Sequence, residues 1–111
     1  MNWIQLTATT QLAEIKELSK SKPQLIFKHS SRCSISAVAK SRLERATPPE
    51  NVDFYFLDLI KNRDISNKVA EEFFVNHESP QVLLIKNGKS VYDESHSGIN
   101  MDDIKEQAVA A

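Results

Sequence analysis

Apolar positions along the chain fall into blocks whose period switches between strand and helix, and the clearest block covers residues 25–46. Leu25, Ile26 and Phe27 form a short run with β-branched and aromatic character, preceded by Pro23, which predicts a central strand. Lys28 and His29 end it. Ser30 and Ser31 offer helix-capping side chains, and Ile35, Val38, Ala39, Leu43 and Ala46 then recur at helical spacing. The block predicts a strand, a short turn and a helix in that order.

The rest of the chain repeats this alternation. Trp3, Ile4 and Leu6 form a short alternating piece suited to an edge strand, where Trp3 is expected to anchor the core rather than serve as a ligand platform. Thr9 or Thr10 then caps a helix with Leu12, Ile15 and Leu18 on its inner face. After a turn at 47–50, residues 52–59 are apolar almost throughout, which is typical of a strand covered on both faces in a parallel sheet. Asp58, near its end, is expected to stabilise its own loop, with a proton acceptor as the alternative role. Ile65, Val69 and Phe73 fall at i, i+4 and i+8 and predict a helix from about residue 64 or 66 to 74.

Residues 75–79 form the exit loop, and Pro80 opens a strand over Gln81–Lys86. Asn87-Gly88 is a strong hairpin signal, pairing 82–85 antiparallel with 90–93. Gly98 breaks the chain again, and Asn100 caps a last helix with Met101, Ile104 and Ala108 inward. The order β, α, β, α, β, α, β, β, α describes an α/β protein whose mixed sheet of four to five strands is flanked by helices.

Composition and charge narrow the reading. A length of 111 residues predicts one domain over 1–111, and 41% apolar with 26% charged residues excludes a mostly disordered chain. No apolar run approaches the roughly 20 residues that span a bilayer. The start MNWIQLTATT lacks the basic and apolar regions of a secretion signal, so a cytoplasmic location is expected. A net charge of −1 with interspersed signs makes no electrostatic case for nucleic acid or a membrane surface.

The chemistry centres on Cys33, the single cysteine, which permits only intermolecular disulfides. Advancing about 100° per residue from Ile35, the apolar stripe lies on one side of the helix. Cys33 falls away from it, sharing a face with Ser36 and Ala37, so its thiol is expected to point out of the core. In a first helical turn, unpaired N–H groups and the helix dipole stabilise an anion by roughly 0.3 to 2 kcal/mol, which favours the nucleophilic thiolate. Arg32 adds a nearby cation. The competing role for Cys33 is a small buried hydrophobe. His29, His77 and His96 show no ligand spacing with Cys33, so no metal site is expected.

A cysteine opening a helix after a buried strand, a later proline opening a hairpin, the Asn-Gly turn and a glycine before the last helix together resemble the thioredoxin fold over nearly the whole chain. In that family the motif is C-x-x-C: Cys33 matches its first cysteine, and Ser36 stands where the second would be. The resemblance implies a cis bond at Ser79-Pro80 that sets the preceding backbone against the sulfur. Phe27 occupies the place of the acid that thioredoxins bury, and a chain without a second thiol has no proton for that acid to take.

The phrases IFKHSSRCSIS at 26–36 and ESPQV at 78–82 resemble the YtxJ-like monothiol bacilliredoxins. That resemblance implies removal of bacillithiol from protein mixed disulfides. Bacillithiol would be the co-substrate, no cofactor would be bound, and the partners would be bacillithiolated proteins and a low-molecular-weight thiol. Cys33 would attack the bacillithiol-side sulfur, and a second small thiol would free it. Ser36 cannot resolve that intermediate, but its hydroxyl can donate to the sulfur or simply fill space. Lys28, His29 and Arg32 are candidates to meet the malate carboxylates of bacillithiol, the alternative being a solvated strand end; His29 can also serve as proton donor or cationic neighbour to the sulfur.

Two other classes share parts of the pattern. A monothiol glutaredoxin using glutathione or carrying an iron–sulfur cluster has C-G-F-S and a double glycine before its last helix, whereas this chain has CSIS and Gly98 alone there. A non-catalytic adaptor or redox sensor on the same fold is the other.

Overall fold

The computed structural model describes residues 1–110. Its elements are β1 (Trp3–Gln5), α1 (Thr10–Leu18), β2 (Gln24–His29), α2 (Ser34–Arg45), β3 (Asp53–Asp58), α3 (Arg63–Phe73), β4 (Gln81–Lys86), β5 (Lys89–Ser95), a short 3₁₀ turn at His96–Gly98, and α4 (Met101–Val109). The five strands form one sheet in the order β1-β3-β2-β4-β5. β1, β3 and β2 run parallel, while β4 pairs antiparallel with both β2 and β5.

Both faces of the sheet are covered, which is why β2 is buried along its whole length. Leu25, Phe27, Phe54, Val82 and Leu84 pack with Ala39 and Leu43 of α2 and with Met101, Ile104 and Ala108 of α4. On the other face Ile26, Tyr55, Leu57, Leu83 and Ile85 pack with Leu12 and Ile15 of α1 and with Ile65, Val69 and Phe73 of α3. Because successive strand residues alternate faces, Lys28 follows Ile26 toward α3 and His29 follows Phe27 toward α2.

Several local signals act as their chemistry dictates. Asn87 and Gly88 both have positive φ, 53° and 76°, the geometry of the tight hairpin turn that matches strand twist. Asn100 accepts the Asp103 N–H at 2.9 Å and caps α4. Asp58 Oδ1 accepts the Ile60 and Lys61 N–H groups, so this acid stabilises its own loop. Trp3 stacks on Phe27 with centroids 5.6 Å apart and ties its indole N–H to Glu44 at 2.8 Å, anchoring the edge strand to α2.

The facing of α2 differs from its apolar pattern. Ile35 and Val38 are 50% and 54% exposed, while Ser36 is fully buried beside Ala39 and Leu43. A serine can occupy the inner face because its hydroxyl finds partners in the Ser30 N–H and His29 Nδ1. The helix also starts later than the serines suggest: Cys33, not Ser30 or Ser31, is the N-cap residue. Leu18, expected inside α1, is 45% exposed at that helix's last turn.

Candidate active site

Cys33 sits at the junction of β2 and α2, partly exposed, with extended backbone angles (φ −114°, ψ 118°). Its N–H donates to Ser30 O at 3.1 Å, and its C=O accepts the Ala37 N–H at 3.2 Å, so a tight turn feeds the thiol directly into the helix start. The two following N–H groups belong to the first turn, where helical backbone donors have no intrahelical partner. That is the position at which a helix best supports a negatively charged sulfur.

Ser36, one turn further on, is committed elsewhere. Its Oγ accepts the Ser30 N–H at 3.1 Å and lies 2.7 Å from His29 Nδ1. With one lone pair taken by Ser30, the hydroxyl proton is available to a neutral imidazole, which places the ring proton on Nε2. Ser36 thus neither donates to Cys33 Sγ nor merely fills space: its bonds to Ser30 and His29 lock the cysteine turn from below.

Of the three cationic candidates, only Arg32 is exposed. His29 is 8% exposed and lies against the rings of Phe27 and Phe56. Burial, followed by the nearby Lys40 charge, holds its pKa below the ordinary value, so it is a neutral bracing group rather than a cation beside the sulfur. Lys28 is fully buried on the opposite face of the sheet. Its ammonium donates to Ser66 O and to His77 Nδ1, both at 3.2 Å, and burial pushes its pKa down to about 8. Lys28 thus cannot reach a ligand on the thiol side. Phe27, six residues before the cysteine, is fully buried in the aromatic cluster with Trp3 and Phe56.

The segment entering β4 lies at the same end of the sheet as the cysteine turn. Lys28 and Gln81 are partners across the antiparallel ladder, so the chain leaving β2 and the chain entering β4 emerge at the same end of the sheet. The Ser79–Pro80 peptide bond is cis. Pro80 O accepts the His96 N–H at 3.0 Å, which brings in the 3₁₀ turn, and Arg42 of α2 donates to Ser97 O and Ile99 O at 3.2 Å each. Between α2 and that turn runs a shallow groove lined by Ile35, Val38, Ala39, Arg42, His96 and Ser97. Ser79 Oγ is buried without a hydrogen-bond partner. Among the described residues no group of three or more histidine, cysteine or acidic side chains is arranged to hold a metal, and no helix is long and apolar enough to cross a membrane.

Ser66, His77 and Gln81 emerge as partners of the motif residues only in the folded chain. Gln81 was legible in principle, because strand register places it opposite Lys28. The Ser66 and His77 contacts depend on tertiary packing.

The fold and the placement of Cys33 define a thioredoxin-fold redox protein. A solved thioredoxin-fold structure described as a candidate oxidoreductase is 31% identical, with 94% of this chain and 91% of that one covered and a TM-score of 0.78. The thioredoxins of Fasciola hepatica (20% identity, 94% of each chain, TM-score 0.72) and Malassezia sympodialis (16%, 98% and 92%, TM-score 0.76) share the fold. The family profile described as monothiol bacilliredoxin BrxC matches residues 4–104, and the chain belongs to that family.

Proposed function

We propose that the protein removes bacillithiol from protein mixed disulfides by monothiol exchange at Cys33. The observation that carries this reading is a single, partly exposed sulfur at the start of α2, on the same sheet end as the Ser79–Pro80 segment. The Cys33 thiolate attacks the bacillithiol-side sulfur of the mixed disulfide. The protein leaves as a thiolate and takes up a proton, and Cys33 becomes disulfide-bonded to bacillithiol. A second bacillithiol thiolate then attacks that bond, giving oxidised bacillithiol and free Cys33. No second cysteine is available in the chain to perform this step.

The exposure of Arg32, next to Cys33 in sequence, supports it as the cation that attracts a carboxylate of the small thiol. Membership of the bacilliredoxin family supports bacillithiol as co-substrate and bacillithiolated proteins as partners. The test is to incubate the reduced protein with a bacillithiolated and, separately, a glutathionylated test protein and follow intact masses. Transfer of the bacillithiol adduct to Cys33, faster than that of glutathione, is expected; equal or absent transfer contradicts the proposal.

A further inference from the structure

Two polar residues of the motif segments, Lys28 and Gln81, lie buried away from Cys33, on the sheet face that packs against α3. Their surroundings are apolar, with Ile26, Leu57, Leu83, Ile65 and Val69 in the same layer, so packing alone calls for hydrocarbon there. What they grip is the loop before Pro80. Lys28 Nζ donates to His77 Nδ1 at 3.2 Å while also holding Ser66 O of α3. Gln81 Nε2 donates to Asn76 O at 3.0 Å, and Gln81 Oε1 accepts the Glu78 N–H at 3.4 Å. Three consecutive residues are thereby tied to two adjacent strands. Asn76, His77 and Glu78 are themselves exposed, so the loop has little apolar contact to fix it and these polar ties set its position.

We propose that Lys28 and Gln81 are positioning residues for the exchange reaction, acting through residues 76–78 to hold the Ser79–Pro80 segment where an incoming protein disulfide meets Cys33. The two side chains link the loop from below the sheet while the Ser36–His29 pair locks the cysteine turn from the other face, so both segments are fixed to β2. This inference rests on the proposed exchange function, and it concerns substrate placement rather than the reactivity of the sulfur.

The experiment compares Lys28→Met, Gln81→Met and His77→Leu with the unaltered protein. His77 is exposed on the loop and its ring also meets the buried Ser66 Oγ at 3.3 Å, so its replacement removes the loop-side partner of both Lys28 and Ser66 while leaving the strands unaltered. In each variant KM for a mixed-disulfide protein should rise roughly tenfold or more, with kcat less affected, because misplacement by about an ångström is costly. Amide hydrogen exchange at 76–79 should accelerate, while the rate of Cys33 alkylation by iodoacetamide stays within about twofold. Lys28→Met added to His77→Leu should cost little more than either alone, as expected for two ends of one tie. Wild-type KM in folded variants, or faster loop exchange with unchanged KM, overturns the positioning role. A wild-type protein that transfers no adduct from any mixed disulfide contradicts the exchange function itself, which distinguishes the two failures.

Discussion

Ser36 Oγ lies 2.7 Å from His29 Nδ1 and accepts the Ser30 N–H, so one buried hydroxyl joins the end of β2, the cysteine turn and the first turn of α2. In the thioredoxin pattern this position carries a second thiol; here it holds the turn that presents the first. Replacing Ser36 with alanine leaves a buried imidazole nitrogen and a backbone N–H without partners. Such a change costs roughly 1 to 3 kcal/mol, which urea unfolding of Ser36→Ala should register as a lower midpoint with an unchanged slope.

His29 and His77 both bind protons less readily in the folded chain than in water. Desolvation is the first cause for each, through burial of His29 and through partial enclosure of the otherwise exposed His77 ring, followed by the Lys40 charge for His29 and the Lys28 charge for His77. As pH falls through the ordinary histidine value of 6.5, the unfolded chain takes up protons that the folded chain does not. Stability is therefore complete above that value and lost as pH falls below it. Between about pH 6.5 and 5, before most carboxylates titrate, the urea midpoint should decline. In His77→Gln the decline should be shallower.

Lys28 gives the opposite end of the pH profile. Burial lowers its pKa from 10.5 to about 8, so between those values the unfolded chain carries the proton and the folded chain has released it. Stability should rise with pH across this window, and the gap corresponds to about 3 kcal/mol that the buried charge costs at neutral pH. The charged neighbours around its His77 partner are Arg63 of α3 and Glu78 of the loop, which oppose one another. Subtracting the Lys28→Met profile from the wild-type profile isolates the effect. At pH 7 this variant should be at least as stable as the wild type, while its exchange with protein disulfides is impaired.

Ile35 and Val38 are exposed on α2 just beyond the cysteine and line the groove toward His96 and Ser97. Because neither contributes to the core, Ile35→Ser with Val38→Ser should leave stability within about 0.5 kcal/mol per site. Exposed apolar side chains beside a reactive group suit contact with a protein partner. The double variant should show a higher KM for a mixed-disulfide protein, with an unchanged rate toward a small disulfide.

Much of the framework could be read from the residues because local and global preferences agree. Ile65, Val69 and Phe73 in α3, the Asn87-Gly88 turn and the Asn100 cap with Met101, Ile104 and Ala108 in α4 all lie where periodicity and turn chemistry place them. The facing of α2 could not be read this way, because hydrophobicity ranks Ile35 and Val38 as core and Ser36 as surface. A satisfied buried serine reverses that order. Lys28 and His29 were misplaced for a related reason: two basic residues at a strand end look solvated unless the strand is known to be covered on both faces. The place of Cys33 at the helix start was legible as a local feature, but the facing that grouped it with Ser36 on an outer side was not, because Ser36 points inward and the thiol is only partly exposed.

The most direct measurement is the intact mass of the protein after brief exposure to a bacillithiolated protein, with and without the Cys33→Ser substitution. One bacillithiol adduct should appear, confined to Cys33, with release of an equal amount of free protein thiol; added bacillithiol should then remove the adduct, and the serine variant should acquire none. A substrate that keeps its adduct in the presence of the reduced protein, or loses it equally to the serine variant, would contradict exchange at Cys33.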